Sequence, residues 1–591
     1  MTSPKSDLYP VAIIGGGPVG LCLSILLSLR GIEHVLFERH PDTSIHPKSC
    51  GINQRTLEIF RILGIEGEVY AHCCPPDIAG RTAWYTSLGP RGKEITSRDA
   101  WGLGEYEEEY KKHSPSHYAI LPQIRLEPIL KKRAVQLNPS GVYYGCEVIN
   151  HNQAKDYVTL IIRRHDSTEH HVEARFVLAA DGGRSMTDRL GVPWLGERNI
   201  LDMVSVHFKA PLRSLHPDPR NFMTWFISPE MGGSMKTGFL YQIGPWPHEP
   251  PKEEWVFCCA MTANDPENFD QENIIKRLRN TLKIEDLPVE VRSFTHWFVD
   301  ARYAERYRVN RVILVGDAAH KIPPWGALGM NTGIQDAQNL VWKLDLTLKD
   351  EKRYDALLNT YEVERQPIGR RVAISSLHNM RSHAGCMDVA LGLSPNKSVE
   401  DNMQSIAPAF DASHPDHAAR RAEIERAQQI LDLEFKAPGA EVGWFYPSVD
   451  TKNEGGKLHD GQLLPNGELN TAVYVPTTIP GHHVPHVWLQ KDGRTCSVLD
   501  LIPLSKMLLL SRQPGWDALG DERVQYELIG HGGWQDMNDE WAKVSRVSES
   551  AAVLLRPDGI VAWRGQRQGL TSEAWKEIID SVLHVRHAGS S

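Results

Sequence analysis

Several short apolar runs punctuate an otherwise mixed chain, and they lack the in–out rhythm of a half-solvated strand. Val11 to Ile14, Val35 to Phe37, Phe176 to Ala180 and Val312 to Val315 are of this kind. Such runs predict strands buried on both faces, as in a parallel sheet covered by helices. After the first run, Leu21, Ile25 and Leu29 give a helix an apolar face, and Gly31 can end it. A second helix is expected to begin near Asn331 or Thr332, because Ile334, Ala337, Val341, Leu344 and Leu348 recur at helical spacing. Alternation appears elsewhere: "NFMTWFISPE" and "TGFLYQIGPWP" read as strands of an antiparallel sheet. "HAARRAEIERAQQILDLEF" reads as a packed connector helix with Ile424, Ala427, Ile430 and Leu431 on one side. No internal repeat or low-complexity tract is evident.

The residues between these elements carry the chemistry. Gly15, Gly17 and Gly20 form G-x-G-x-x-G between the first strand and its helix. Gly15 permits the tight turn, Gly17 lets backbone approach a pyrophosphate, and Gly20 lets the helix pack close. Glu38 ends the second strand, where a carboxylate can accept from a ribose hydroxyl. The motif points to a dinucleotide but does not separate FAD from NAD. Asp181-Gly182-Gly183 turns the chain after Ala180, and Arg184 and Ser185 precede a short helix. Asp317 follows the strand at Val312 and can accept from a ribityl or ribose hydroxyl. Pro323 and Pro324 fix φ and withdraw donors, as a rigid wall beside an aromatic ring requires. Gly326 and Gly329 leave room for close approach. The free amides and positive dipole end of the helix that follows would point at the bound group. Reduced flavin, anionic along its N1–C2=O edge, suits such an end.

Composition narrows the setting. A chain of 591 residues allows three or four folding units, and 41% hydrophobic with 24% charged residues is ordinary globular usage. A net charge of -9 offers no basic field for nucleic acid. Nine scattered cysteines without a CxxC argue against a disulfide framework and for a reducing, cytoplasmic setting. The polar start "MTSPKSDLYP" shows no signal peptide, and no apolar run reaches membrane-spanning length. "GHHVPH", with His482, His483 and His486, has no accompanying ligand set and reads as a surface loop rather than a metal site.

In this order and at these distances, the three motifs resemble those of the FAD-dependent aromatic hydroxylases, the single-component flavin monooxygenases of the p-hydroxybenzoate hydroxylase and phenol hydroxylase type. "HPKSCGINQRTLEIFRILGI" and "LPQIRLEPIL" are similar to two further family segments. The resemblance implies an α/β fold with a Rossmann-like, glutathione-reductase-like FAD-binding domain. That domain is discontinuous, at 1–80, 120–195 and 300–395. An inserted antiparallel-sheet substrate domain would take 81–119 and 196–299, and a helical connector 396–440. Residues 441–591 would form a thioredoxin-like domain. With only Cys496 it has no thioredoxin redox chemistry, so its role would be structural or at a homodimer interface.

By the same resemblance Glu38 and Arg39 lie at the adenosine, Gln123 near the pyrophosphate, and Asp181 and Gly182 in the second fingerprint. Asp317 holds the ribityl chain, and Gly329, Met330 and Asn331 contact the flavin ring beside Pro324. Lys48 stands where many relatives carry arginine. NADPH or NADH would visit transiently, since no second G-x-G-x-x-G exists. Reduced flavin and O2 would give a C4a-hydroperoxide that a phenolic ring attacks, with Trp225, Tyr241 and Pro323 at the small aromatic substrate. Tyr241 and Pro324 are the expected catalytic pair, Tyr241 bonding the substrate hydroxyl. Some phenol hydroxylases carry an acid beside the ring where this chain has Cys50 or a neighbour. Epoxidation, oxidative decarboxylation or a purely structural FAD are the alternatives.

Overall fold

The computed structural model describes residues 8–247, 252–262, 265–266, 269–446 and 458–585; the polar start, residues 1–7, lies outside them. Two large sheets dominate. The first runs in the order Arg308–Val309, Val312–Leu314, Glu169–Ala179, Tyr9–Ile14, His34–Glu38, Val142–Tyr144, with the antiparallel pair Cys146–Gln153 and Val158–Arg164 joined through Glu169–Ala179. From Val312–Leu314 to Val142–Tyr144 the pairing is parallel. Val11, Ala12, Ile13, Val35, Leu36, Val177, Leu178 and Ile313 are wholly buried, as unbroken apolar runs require.

Register decides where the motifs meet. Ile14 pairs with Ala179, and Ala179 with Leu314. The residues that follow, Gly15, Asp181 and Gly316, therefore stand side by side at the C-terminal edge of one sheet. This is where open α/β sheets bind ligands. The helix Pro18–Leu29 behind that edge is buried from Pro18 to Leu27 apart from Val19, not on one face only. It packs against both Gln123–Leu137 and Leu328–Lys349, which leaves it no solvent side.

The second sheet has the order His320–Lys321, Glu290–Ala304, Trp194–Lys209, Glu254–Ala260, Gly233–Gly244, Met223–Ser228, Arg81–Tyr85, Glu94–Asp99. It departs from a purely antiparallel sheet at one join, where Met223–Ser228 runs parallel to Arg81–Tyr85. Alternation sorts its two faces. Val204, Val206, Phe208, Leu240 and Phe257 pack under the helix Gln271–Leu282. Met203, Tyr241, Val256 and Cys258 face the 40-residue helix Glu351–Ala390 and the helix His417–Phe435. On that last helix Ile424, Ala427 and Leu431 are buried, but Ile430 is 49% exposed, one step around from the expected stripe.

The C-terminal region holds a four-stranded sheet, Val524–Leu528, Met507–Ser511, Ala551–Leu555, Val561–Gln566, backed by the helix Ser572–Val582. Trp516, Trp563 and Trp575 meet edge to face beneath it. This region is bound to the rest of the chain by buried charge. Arg556 donates to both oxygens of Glu364 at 2.6 and 2.9 Å, and Lys343 Nζ donates to the same carboxylate at 2.7 Å. His482, His483 and His486 are not on a surface loop: they are 3%, 7% and 8% exposed. His482 stacks on Phe445, and His486 Nδ1 meets Ser497 Oγ at 2.8 Å. No cluster able to hold a metal ion exists among the described residues. Among them, too, no helix is long and apolar enough to cross a membrane.

Candidate active site

A cavity of about 1230 Å³ lies where the two sheets meet. It exceeds the ~300–1,000 Å³ of most single-ligand clefts. One wall is the edge of the parallel sheet. Gly15 has φ +106°, and a Cβ there would sit 2.3 Å from the carbonyl oxygen of Ala180. A Cβ on Gly17 would meet nothing within 4 Å, because this glycine opens onto the cavity. Gly20 lies behind the edge instead of lining it: its Cβ would fall 1.9 Å from the Gly15 oxygen, so glycine is what lets the helix seat on the turn. Glu38 Oε2 accepts from the Gly16 amide at 2.6 Å and Oε1 from the His40 amide at 2.8 Å, which fixes the carboxylate at the strand end. Arg39 lines the cavity beside it.

The two aspartates at this edge differ. Asp181 is committed to its own turn. Its oxygens accept from the amides of Gly183, Ser185 and Met186 and from Ser185 Oγ, at 2.9 to 3.2 Å. With Gly182 at φ +73° it shapes the loop that borders the cavity. Asp317 opens onto the cavity and accepts no hydrogen bond among the described residues. Its side chain is exposed to the cavity, yet surrounding protein displaces enough water to raise its carboxyl above the usual range, while His320, Lys48 and Lys321 pull the other way. Lys48 reaches the cavity from a left-handed backbone, φ +50°. Gln123 takes the start of its helix to the same loop, its amide donating to Ser49 O at 2.8 Å.

The helix expected at Asn331 begins three residues sooner, at Leu328, because Ala327 adopts φ +54° and turns the chain in early. The amides left free in its first turn are thus those of Leu328, Gly329 and Met330. Gly329 and Met330 line the cavity, as do Pro323 and Pro324; Asn331 does not. The Asn331 side chain is buried and works inward. Its Oδ1 accepts from the Asn53 amide at 3.1 Å and its Nδ2 donates to Gly51 O at 3.0 Å, so it ties the helix to the 51–53 segment.

The facing wall is the second sheet. Trp225 and Tyr241 both line it, the Tyr241 ring 6.0 Å from Phe239 and Phe239 4.3 Å from Trp225. Burial holds the Tyr241 hydroxyl far above the usual phenol range, so it remains a neutral donor and acceptor. Cys50 also lines the cavity, and burial pushes its thiol up to about 12. Neither group is an anionic base at neutral pH. Among the polar lining residues that escaped the sequence reading are His207 and Glu434. His207 Nε2 lies 3.2 Å from Glu254, which Arg125 also engages at 2.9 Å. Glu434 had a legible signal: it falls on the stripe of Ile424, Ala427 and Leu431, where an apolar residue belongs.

Residues 8–376 match the family model described as an FAD binding domain, and 477–583 match that of the aromatic-ring hydroxylase C-terminal region. The chain belongs to the FAD-dependent aromatic hydroxylases. A member of this family from Delftia acidovorans, 2,4-dichlorophenol 6-monooxygenase, is 30% identical over 97% of this chain and 98% of its own. Phenol 2-monooxygenase of Pseudomonas sp. (strain EST1001) is 30% identical over 94% of this chain and 90% of its own. The flavin-dependent monooxygenase PieE, solved with FAD and substrate, superposes with a TM-score of 0.87 at 30% identity, covering 98% of this chain and all of that one. The residues that line this cavity fit the cofactor of this family of monooxygenases. Gly17 leaves space open to the cavity, free helix amides face it, and Asp317 offers a carboxylate with no partner of its own among the described residues.

Proposed function

We propose that the chain hydroxylates a phenolic substrate at the expense of NADPH or NADH and O2. FAD would be held by the Gly15–Gly17 turn, Glu38, Arg39, Lys48, Gln123 and Asp317, with the amides of Gly329 and Met330 at its ring. Bound there, FAD supplies the means to accept a hydride from the nicotinamide and to activate oxygen. The protein supplies position and dryness. Pro323 and Pro324 would border the reacting rings, and the Trp225–Phe239–Tyr241 wall would exclude the water that wastes activated oxygen. Tyr241 would hold the substrate hydroxyl by a hydrogen bond while staying neutral. Domain limits at 1–80, 120–195 and 300–395 for the flavin part, and a thioredoxin-like C-terminal region without a redox pair, complete this reading.

The observation that supports it best is the register of three parallel strands, which aligns three distant motifs along one edge of a cavity whose other wall is aromatic. The test is NAD(P)H oxidation by the purified yellow protein across a panel of phenols, with isotopically labelled O2 traced into product by mass spectrometry. Stimulated oxidation with label in the ring is the expected result; stimulation that yields only hydrogen peroxide for every phenol defeats the proposal. Tyr241→Phe is expected to slow hydroxylation about 100-fold and to divert reducing equivalents to peroxide. Full coupling and turnover in that variant would remove Tyr241 from the mechanism.

A further inference from the structure

The cavity wall on the second sheet is wider than one aromatic ring needs. Thr295, Ser205, Cys258, Phe239 and Trp225 are cross-strand neighbours in a single row, and each lines the cavity. Five strands at ~4.8 Å spacing make that row about 19 Å across. No lysine or arginine projects into the cavity from these five strands. The cavity's cations are Arg39, Lys48, Arg184, Arg189 and Lys321, and Lys321 reaches back to Gly183 on the flavin edge.

At the Trp225 end of the row stands one carboxylate. Glu434 is 8% exposed and lines the cavity, and its Oε2 lies 2.9 Å from His383 Nδ1. A carboxylate only accepts, so Nδ1 carries the proton. His383 is fixed in turn by its ring, 3.7 Å from that of Trp225. The helix end that presents Glu434 is also fixed. Arg98 donates to the carbonyls of Gln428 and Leu431 at 3.0 and 2.9 Å, and its guanidinium lies 4.3 Å over the Phe435 ring. One oxygen of Glu434 is thus committed to His383, Arg98 is charge-coupled to the carboxylate, and the residue lines the cavity on a rigid mount.

We propose that Glu434 is a specificity-determining residue that accepts a hydrogen bond from a second hydroxyl of the substrate, so that this monooxygenase takes extended, polyhydroxylated aromatics bearing no carboxylate. The proposal rests on the function proposed above and deepens it. The row is long enough for linked or fused rings lying along it. Their apolar faces meet Phe239 and Trp225, and the distal hydroxyl meets Glu434, the acid that lines the cavity at that end among the described residues. A substrate carboxylate would find no lysine or arginine among the described cavity-lining residues of these five strands and would face Glu434 itself.

Calorimetric titration of the FAD-loaded protein tests this with matched multi-ring phenols that differ only in the distal hydroxyl, together with a hydroxybenzoate. Wild type is expected to prefer the hydroxylated partner by roughly tenfold or more, as a bond to a charged acceptor allows. Glu434→Gln keeps the shape but turns a donor toward the cavity, and is expected to abolish that preference. No preference in wild type, an unchanged preference in the variant, or tightest binding of the hydroxybenzoate each overturns the proposal. Should the variant fail to fold, the wild-type pair alone decides. A protein that binds as expected but puts no labelled oxygen into any ligand defeats the proposed function and not this inference. One that hydroxylates simple phenols and ignores the distal hydroxyl defeats only the inference.

Discussion

Along the parallel sheet the cavity is bounded by glycines, free amides and the three carboxylates of Glu38, Asp181 and Asp317, whose places are set by strand register. Along the mixed sheet it is bounded by side chains: Trp225, Phe239, Tyr241 and Cys258, set by alternation. The first wall tolerates almost no change at Gly15 or Gly20, because an added Cβ there strikes main chain. The second changes its ligand whenever a side chain changes. A fold built this way keeps its cofactor while its substrate drifts.

That contrast breaks most sharply at Gly20. A Cβ placed 1.9 Å from the Gly15 oxygen cannot be relieved by a rotamer, so Gly20→Ala is expected to yield protein without visible flavin absorbance and destabilised by about 3 kcal/mol or more. Retained colour would show that the turn is less tightly set than its register implies. Asp317→Asn removes a charged acceptor and leaves the shape, and FAD is expected to dissociate roughly 10- to 100-fold more readily by fluorescence titration. The same titration on Tyr241→Phe should give the wild-type value, since that residue belongs to the other wall.

Another acid, outside both walls, serves as a control. Glu441 is buried, and burial pushes its carboxyl up to about 7, against hydrogen bonds from the Ala437 amide and Tyr110. A raised folded pKa means that the native state holds a proton the unfolded chain releases. Its contribution is therefore complete below about pH 4.5 and is lost as pH rises through 7. Glu441→Gln should gain on wild type by roughly 2–3 kcal/mol between pH 5 and pH 8 in chemical denaturation, with FAD affinity unchanged. The smallest effect is expected at Cys50. A thiol held near 12 is no base, so Cys50→Ser should alter turnover by about twofold or less and leave its pH profile in place.

What could be read from sequence follows the same division. Gly15, Gly17, Glu38 and Asp317 were legible because a backbone requirement admits few residue types, and order along the chain reveals them. The helix start was misplaced by three residues because Ala327 takes a left-handed conformation that nothing about alanine announces. The histidines at 482, 483 and 486 read as exposed because they are polar, yet tertiary packing on Phe445 and Ser497 buries them. Ile430, expected on the buried stripe, is exposed, while Glu434 is buried. A charged helix with few apolar positions leaves its rotation undetermined until it meets a sheet. His207 had no local signal at all, since strand alternation says which face a residue takes and not what stands opposite.

The grip of Arg556 on Glu364 has a practical consequence for anyone cutting or recombining these proteins. Glu364 sits on the long helix that packs against Leu328–Lys349, and Lys343 and Asn339 of the latter share its carboxylate. Trimming the last hundred or so residues would take Arg556 from a buried carboxylate, beneath the helix whose first turn opens onto the cavity. Chimeras between relatives should therefore exchange position 364 together with position 556, or the graft will loosen the flavin it never touches.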